Sequence, residues 1–141
     1  MARPDVYDEM YQYSKEYIQS KSVFNPVVLK SAPQEINQFP LVVIPECKLI
    51  IKDETLAHKE KEYRLIFDIE VYSTDKTVGN KKVARQSIIA ELEKLIYDVF
   101  EGHYLMKVAE PKPTPNIDRN VDRLYMRAEA TINEKKIIFR R

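Results

Sequence analysis

Two stretches of this chain alternate apolar and polar residues with a period of two over long spans, a pattern that suits a β-strand with one dry and one wet face. In YRLIFDIEVYS, Tyr63, Leu65, Phe67, Ile69 and Val71 are apolar. Arg64, Asp68, Glu70 and Ser73 mark a wet side, and Ile66 and Tyr72 interrupt it. In VDRLYMRAEATI, Leu124, Met126, Ala128, Ala130 and Ile132 share one face, while Arg123, Tyr125, Arg127, Glu129 and Thr131 share the other. A sheet with one dry face needs a covering layer.

Two helical patterns can supply it. From Asp5 to about Ser20, Val6, Met10, Tyr13 and Tyr17 recur at helical spacing, with Tyr7, Tyr11, Ser14 and Ile18 on the adjoining stripe. From about Lys81 to Glu101, Ala84, Ile88, Leu92, Leu95, Ile96 and Val99 form the stripe of a main core helix, and Gly102 stands where a left-handed cap is expected. Between them, Lys21 to Gln38 is a connector in which Val27 to Leu29 suits a short strand. FPLVVI and CKLIIKD then give further strands. His103 to Ala109 reads as a strand, PKPTPNIDRN as a proline-stiffened loop, and KKIIFRR as the last strand of a hairpin turning at Asn133 and Glu134. The order predicts an α+β fold: one domain over residues 1–141, with a mostly antiparallel sheet packed against a long central helix and an additional N-terminal helix.

Composition narrows the function. At 141 residues with 44% hydrophobic and 32% charged residues, the chain has the balance of one globular domain. It has 23 Lys and Arg against 22 Asp and Glu, so no whole-chain field selects nucleic acid or an acidic membrane. The only glycines are Gly79 and Gly102, too few for a phosphate-cradling loop. No apolar run is long enough for a membrane span, and the first residues lack the pattern of a secretory leader.

Catalytic constellations are correspondingly thin. Cys47 is the single cysteine, and its place beside a strand suits a small hydrophobe. His58 lies in a charged loop, and His103 follows the expected helix cap, where an imidazolium suits the last carbonyls. Their scatter gives no zinc spacing. Asp53 with Glu54, and Asp118 with Asp122, read as solvated acids rather than a cation site or an acid–base pair. Catalytic, cofactor and metal sites are therefore expected to be none.

The informative surface is a contact surface. Arg119, Arg123, Arg127, Lys135, Lys136, Arg140 and Arg141 interleave with Asp118, Asp122, Glu129 and Glu134. With Tyr125 this could form a nucleic-acid face, but the alternating signs favour cross-strand ion pairs or a subunit contact. Two segments are suited to reach a partner: the charged stretch Asp53 to Glu62, and the Pro111 to Asn120 loop. The candidate interface is Asp53, Glu54, His58, Lys59, Lys61, Pro113, Asn116, Arg119, Arg123, Tyr125 and Arg127.

An N-terminal helix, a proline-broken connector, FPLVVIPE, a charged loop, EYRLIFDIEVYS, the segment VGNKKVARQSIIAELEKLIYDVF and a closing YMRAEATINEKKIIFRR together resemble the phage tail terminator family, also called tail completion or tail-to-head joining proteins. The resemblance covers nearly the whole chain in element order and texture. It implies a ring, usually a hexamer, on the last ring of the tail tube, where it stops tail polymerisation and presents the surface on which the filled head docks. The implied partners are other copies of the chain, the tail tube protein and a head-completion or connector protein. Genomic DNA would pass through the lumen without sequence-specific binding. The implied setting is the virion tail and neck, with host cytoplasm during assembly, and no cofactor or membrane. The alternatives are another neck or head-completion protein and, in a different class, a small nucleic-acid-binding α+β domain.

Overall fold

The computed structural model describes residues 4–53, 62–114 and 120–133. In chain order its elements are helix α1 (Pro4–Lys21) and strands β1 (Val27–Leu29), β2 (Leu41–Val43), β3 (Lys48–Asp53), β4 (Glu62–Ser73), β5 (Lys76–Val78) and β6 (Lys81–Val83). Helix α2 (Arg85–Tyr97) follows and runs into a π-helical stretch, Asp98–His103. Strands β7 (Lys107–Val108), β8 (Lys112–Thr114) and β9 (Asp122–Asn133) complete the described chain.

The two alternating stretches pair with each other. β4 and β9 form an antiparallel ladder from Glu62↔Asn133 to Ser73↔Asp122 without a break in register. On the free side of β4 lie β3, paired antiparallel at Lys48↔Ile66, and β2, paired antiparallel at Val42↔Val71. On the free side of β9 lie β7 and β8, both antiparallel. β1 joins the far side of β2 in parallel, which makes the sheet mixed.

Both helices pack on the dry face. Tyr63, Leu65, Phe67, Ile69 and Val71 are buried in one core with Ile88, Leu92, Leu95, Ile96, Val99 and Phe100 and with Tyr7, Met10, Tyr11 and Ile18 of α1. Tyr7 and Tyr11 of α1 bury their rings and spend their hydroxyls on backbone: Tyr7 donates to the carbonyl of Ile44, just past β2, at 2.5 Å and Tyr11 to that of Val28 in β1 at 2.9 Å. Burial raises both phenols above their usual range. One interruption of the wet face, Tyr72, also has a cause. Tyr72 joins Leu41, Val43 and Val121 in a small second core with Ile36 and Phe39 packed against it. Ser73, grouped above with the wet side, is fully buried.

The α+β class holds, and several element boundaries need correction. The helix does not begin at Lys81. Gly79, at φ 63°, takes the first central position of a two-residue turn joining β5 and β6, an arrangement that matches the right-handed twist of a hairpin. Ala84 is therefore the N-cap of α2 and exposed rather than part of the core stripe. The expected long central helix is a 13-residue α-helix with a 6-residue π-helical continuation, beside an 18-residue α1. Gly102 is not the cap, because it lies inside the π-helical stretch. Leu105 takes the left-handed position instead, at φ 57°, and the Met106 amide reaches back to the Phe100 carbonyl at 2.8 Å. His103 is helical, so the following strand is confined to Lys107–Val108. Part of the proline loop, Lys112–Thr114, is an edge strand. The expected KKIIFRR hairpin lies outside the described residues. Among the described residues, no helix is long and apolar enough to cross a membrane.

Candidate functional site

The wet face of the β4–β9 ladder is a brace of charged side chains. Register sets it up: Asp68 faces Arg127, Glu70 faces Tyr125, Tyr72 faces Arg123, and Ile66 faces Glu129. Arg127 Nε donates straight across to Asp68 Oδ1 at 2.9 Å. The other pairs run diagonally, a reach that long side chains on neighbouring strands can span. Arg64 donates to Glu129 Oε2 through Nη2 at 2.7 Å and through Nε at 3.1 Å. Arg123 donates to Glu70, and Tyr125 donates to Asp68.

The pairs are linked into networks. Tyr125 accepts from Arg127 Nε at 3.1 Å while donating to Asp68, and Lys48 Nζ from β3 stands 3.5 Å from the other Asp68 oxygen. Tyr72 donates to Glu70 at 3.0 Å, and the Arg123 guanidinium lies over the Tyr72 ring, 5.4 Å from its centroid. Burial by itself would raise the Asp68 carboxyl, yet its hydrogen bonds from Arg127 and Tyr125 and the charges of Arg127 and Lys48 hold it below the usual aspartate range. The guanidinium groups of Arg123 and Arg127 are held above theirs by the same bonds to Glu70 and Asp68. One donor is left over: Arg123 Nε is buried without a hydrogen-bond partner.

This arrangement changes what Arg123, Tyr125 and Arg127 can do. Each is engaged by a carboxylate one strand away, so phosphate would have to displace a charge-assisted hydrogen bond to reach them. Pro113, on exposed strand β8, borders the same end of β9. The backbone of Asp53 ends β3 opposite Glu62. Glu54, His58, Lys59, Lys61, Asn116 and Arg119 lie outside the described residues. The structure therefore brings Pro113 and Arg123 to one end of the β4–β9 ladder and the end of β3 to the other.

The chemically reactive residues lie elsewhere. Cys47 is buried, and burial pushes its thiol up to about 11, so it is protonated at neutral pH. His103, expected to serve the last helix carbonyls, stacks on Tyr13 with ring centroids 4.1 Å apart and 14° between planes. Asp122, read above as a solvated acid, accepts from Arg85 Nε at 3.0 Å. Arg85 also presents its backbone amide to Asp75 at 2.9 Å, and this bond holds the Asp75 carboxyl below its ordinary value. Asp118 and His58 fall outside the described residues. Among the described residues, no three His, Cys, Asp or Glu are grouped to hold a metal ion.

Sequence reasoning missed the acidic half of the face. Asp68 and Glu70 were visible as wet positions, but only the register between two segments far apart in sequence shows which arginine each one holds. It also missed the β5–β6 hairpin, whose signal was Gly79 followed by Asn80 between short alternating stretches. Comparison with known proteins finds no family model and no curated protein that matches this chain.

Proposed function

We propose that this chain is a non-enzymatic virion assembly protein, a ring-forming tail terminator that ends tail-tube polymerisation and joins the tail to the head. The observation that supports the reading best is the braced face of β4 and β9. Its arginines are spent on carboxylates of the neighbouring strand, which ties the two strands together and leaves these guanidinium groups little freedom to take up phosphate. A self-neutralised face suits contact with protein, and the order of helices and strands that carries the resemblance is compatible with it. The helical run Arg85–His103 serves in this reading as the main core helix beneath that face.

Size permits a ring around DNA. A chain of this length has a radius of gyration of about 14 Å, so six copies in contact leave a hole roughly as wide as one subunit, about 37 Å. The test is mass in solution combined with electron microscopy of the full chain mixed with purified tail tubes. The expected result is a ring of several copies that caps one end of the tube, with no steep salt-dependent affinity for DNA. A chain that stays monomeric with and without tubes while binding DNA in a strongly salt-dependent way would establish the nucleic-acid reading instead.

A further inference from the structure

The two ends of the helical run Arg85–His103 carry features that the fold of one copy leaves unused. Beyond its C-terminal end, Leu105 is 55% exposed and holds φ 57°. A left-handed leucine is strained, and glycine would adopt that conformation freely. Val23 and Ile50 are also exposed, but neither has a positive φ. Strain retained at an exposed apolar side chain points to a use for that side chain.

The first turn of α2 borders a matching hollow. A cavity of about 320 Å³ opens between α2, β8 and the start of β9, walled by Ile89, Pro113, Val121 and Leu124 with Gln86 at its side. A cavity of about 150 Å³ already holds a benzene-sized group, so this one has room for a leucine side chain. Arg123 also lines it, with its guanidinium engaged by Glu70. The hollow and Leu105 are far apart. The hollow sits at the start of β9, whereas Leu105 borders Thr131 near its end, about 30 Å along the strand.

We infer that Leu105 of one copy seats in the Ile89, Pro113, Val121 and Leu124 hollow of a second copy. This inference rests on the ring reading above. An apolar knob and a distant socket on the same molecule make a head-to-tail contact, which closes into a ring when the rotation between copies allows it. The contact is too small to be a whole interface and acts as its anchor, in the way a few buried side chains dominate most interfaces.

Two full-length variants test it from opposite sides, with wild type measured alongside by sedimentation and electron microscopy. Leu105→Asp removes the knob and leaves the socket, while Gln86→Trp fills the socket mouth and leaves the knob. Each alone is expected to melt cooperatively and to lose rings, sedimenting as a monomer. Mixed together they should recover a single contact and form one-to-one dimers without rings. Leu105→Gly keeps the fold unstrained, so its loss of rings with melting no lower than wild type would separate assembly from stability. Rings formed by Leu105→Asp or Gln86→Trp as readily as by wild type overturn this contact while leaving the ring reading intact. A wild-type chain that forms no ring, alone or on tail tubes, overturns both.

Discussion

Asp68 is the residue on which the braced face turns, since it accepts from Arg127 and Tyr125 and pairs with Lys48 of β3. Its carboxyl is held below the ordinary aspartate value of 3.8, so the native state binds fewer protons than the unfolded chain in mildly acidic solution. The sign follows: the contribution is complete above the unfolded value and drains away as pH falls through the lower, folded one. Melting of the wild type is therefore expected to be flat near neutrality and to fall below about pH 4, whereas Asp68→Asn should be less stable at neutrality and lose less on acidification. Equal acid sensitivity of the two proteins in thermal melts would remove Asp68 from the brace. The reactive residues carry a complementary expectation. Replacing Cys47 with Ala and both His58 and His103 with Gln should leave assembly working, at a packing cost from the Cys47 cavity and the lost stack on Tyr13. A folded triple variant that yields no joined particles, while His58→Gln alone still joins them, would count against the non-enzymatic reading.

Among the elements, α2 is where sequence and structure agree most closely in packing and least in boundary. The periodic stripe Ala84, Ile88, Leu92, Leu95, Ile96 and Val99 predicted the buried face, and all of it except the exposed Ala84 is buried against the dry side of β4. Leu92→Ala should cost about 2–5 kcal/mol. Glu93→Ala should cost little, but Glu91 accepts from Ser22 Oγ at 2.6 Å, so Glu91→Ala falls between the two. Denaturant melts check the order, and equal costs for all three changes would mean the assigned face is wrong. The boundaries were harder to read for a physical reason. Lys81 to Val83 is compatible with helix or strand, and the hairpin wins through its glycine turn and its pairing with Lys76–Val78. At the other end Gly102 was the obvious cap by residue type, yet a π-helical turn carries the helix past it and Leu105 takes the left-handed conformation. The braced face was half legible in the same way: alternation displayed its charges, while the partners depended on a register that no local pattern encodes.

At the scale of the whole molecule, the two segments chosen as contact elements start from opposite ends of the sheet. The chain leaves the described structure after Asp53, whose partner Glu62 pairs in turn with Asn133. It leaves again after Thr114, opposite Arg123, at the end where Ser73 meets Asp122. These exits lie about 35 Å apart along β4. If the proposed ring forms with its subunits in one orientation, segments leaving opposite ends of the sheet would meet different partners, one on the tail-tube side and the other on the head side. Shortening 54–61 to a tight turn and, separately, shortening 115–119 while sparing β8 should both preserve cooperative melting, because neither cut removes a described strand. Their assembly defects should differ. Electron microscopy of lysates is expected to show unjoined heads beside tails of normal length for one variant, and tails overlong or ragged at the head-proximal end for the other. Normal full-length virions from both shortened proteins would refute both segments as contact elements and shift the contact to the face carrying Arg123, Tyr125 and Arg127. The same defect from both would show that the two ends of the sheet serve a single joint.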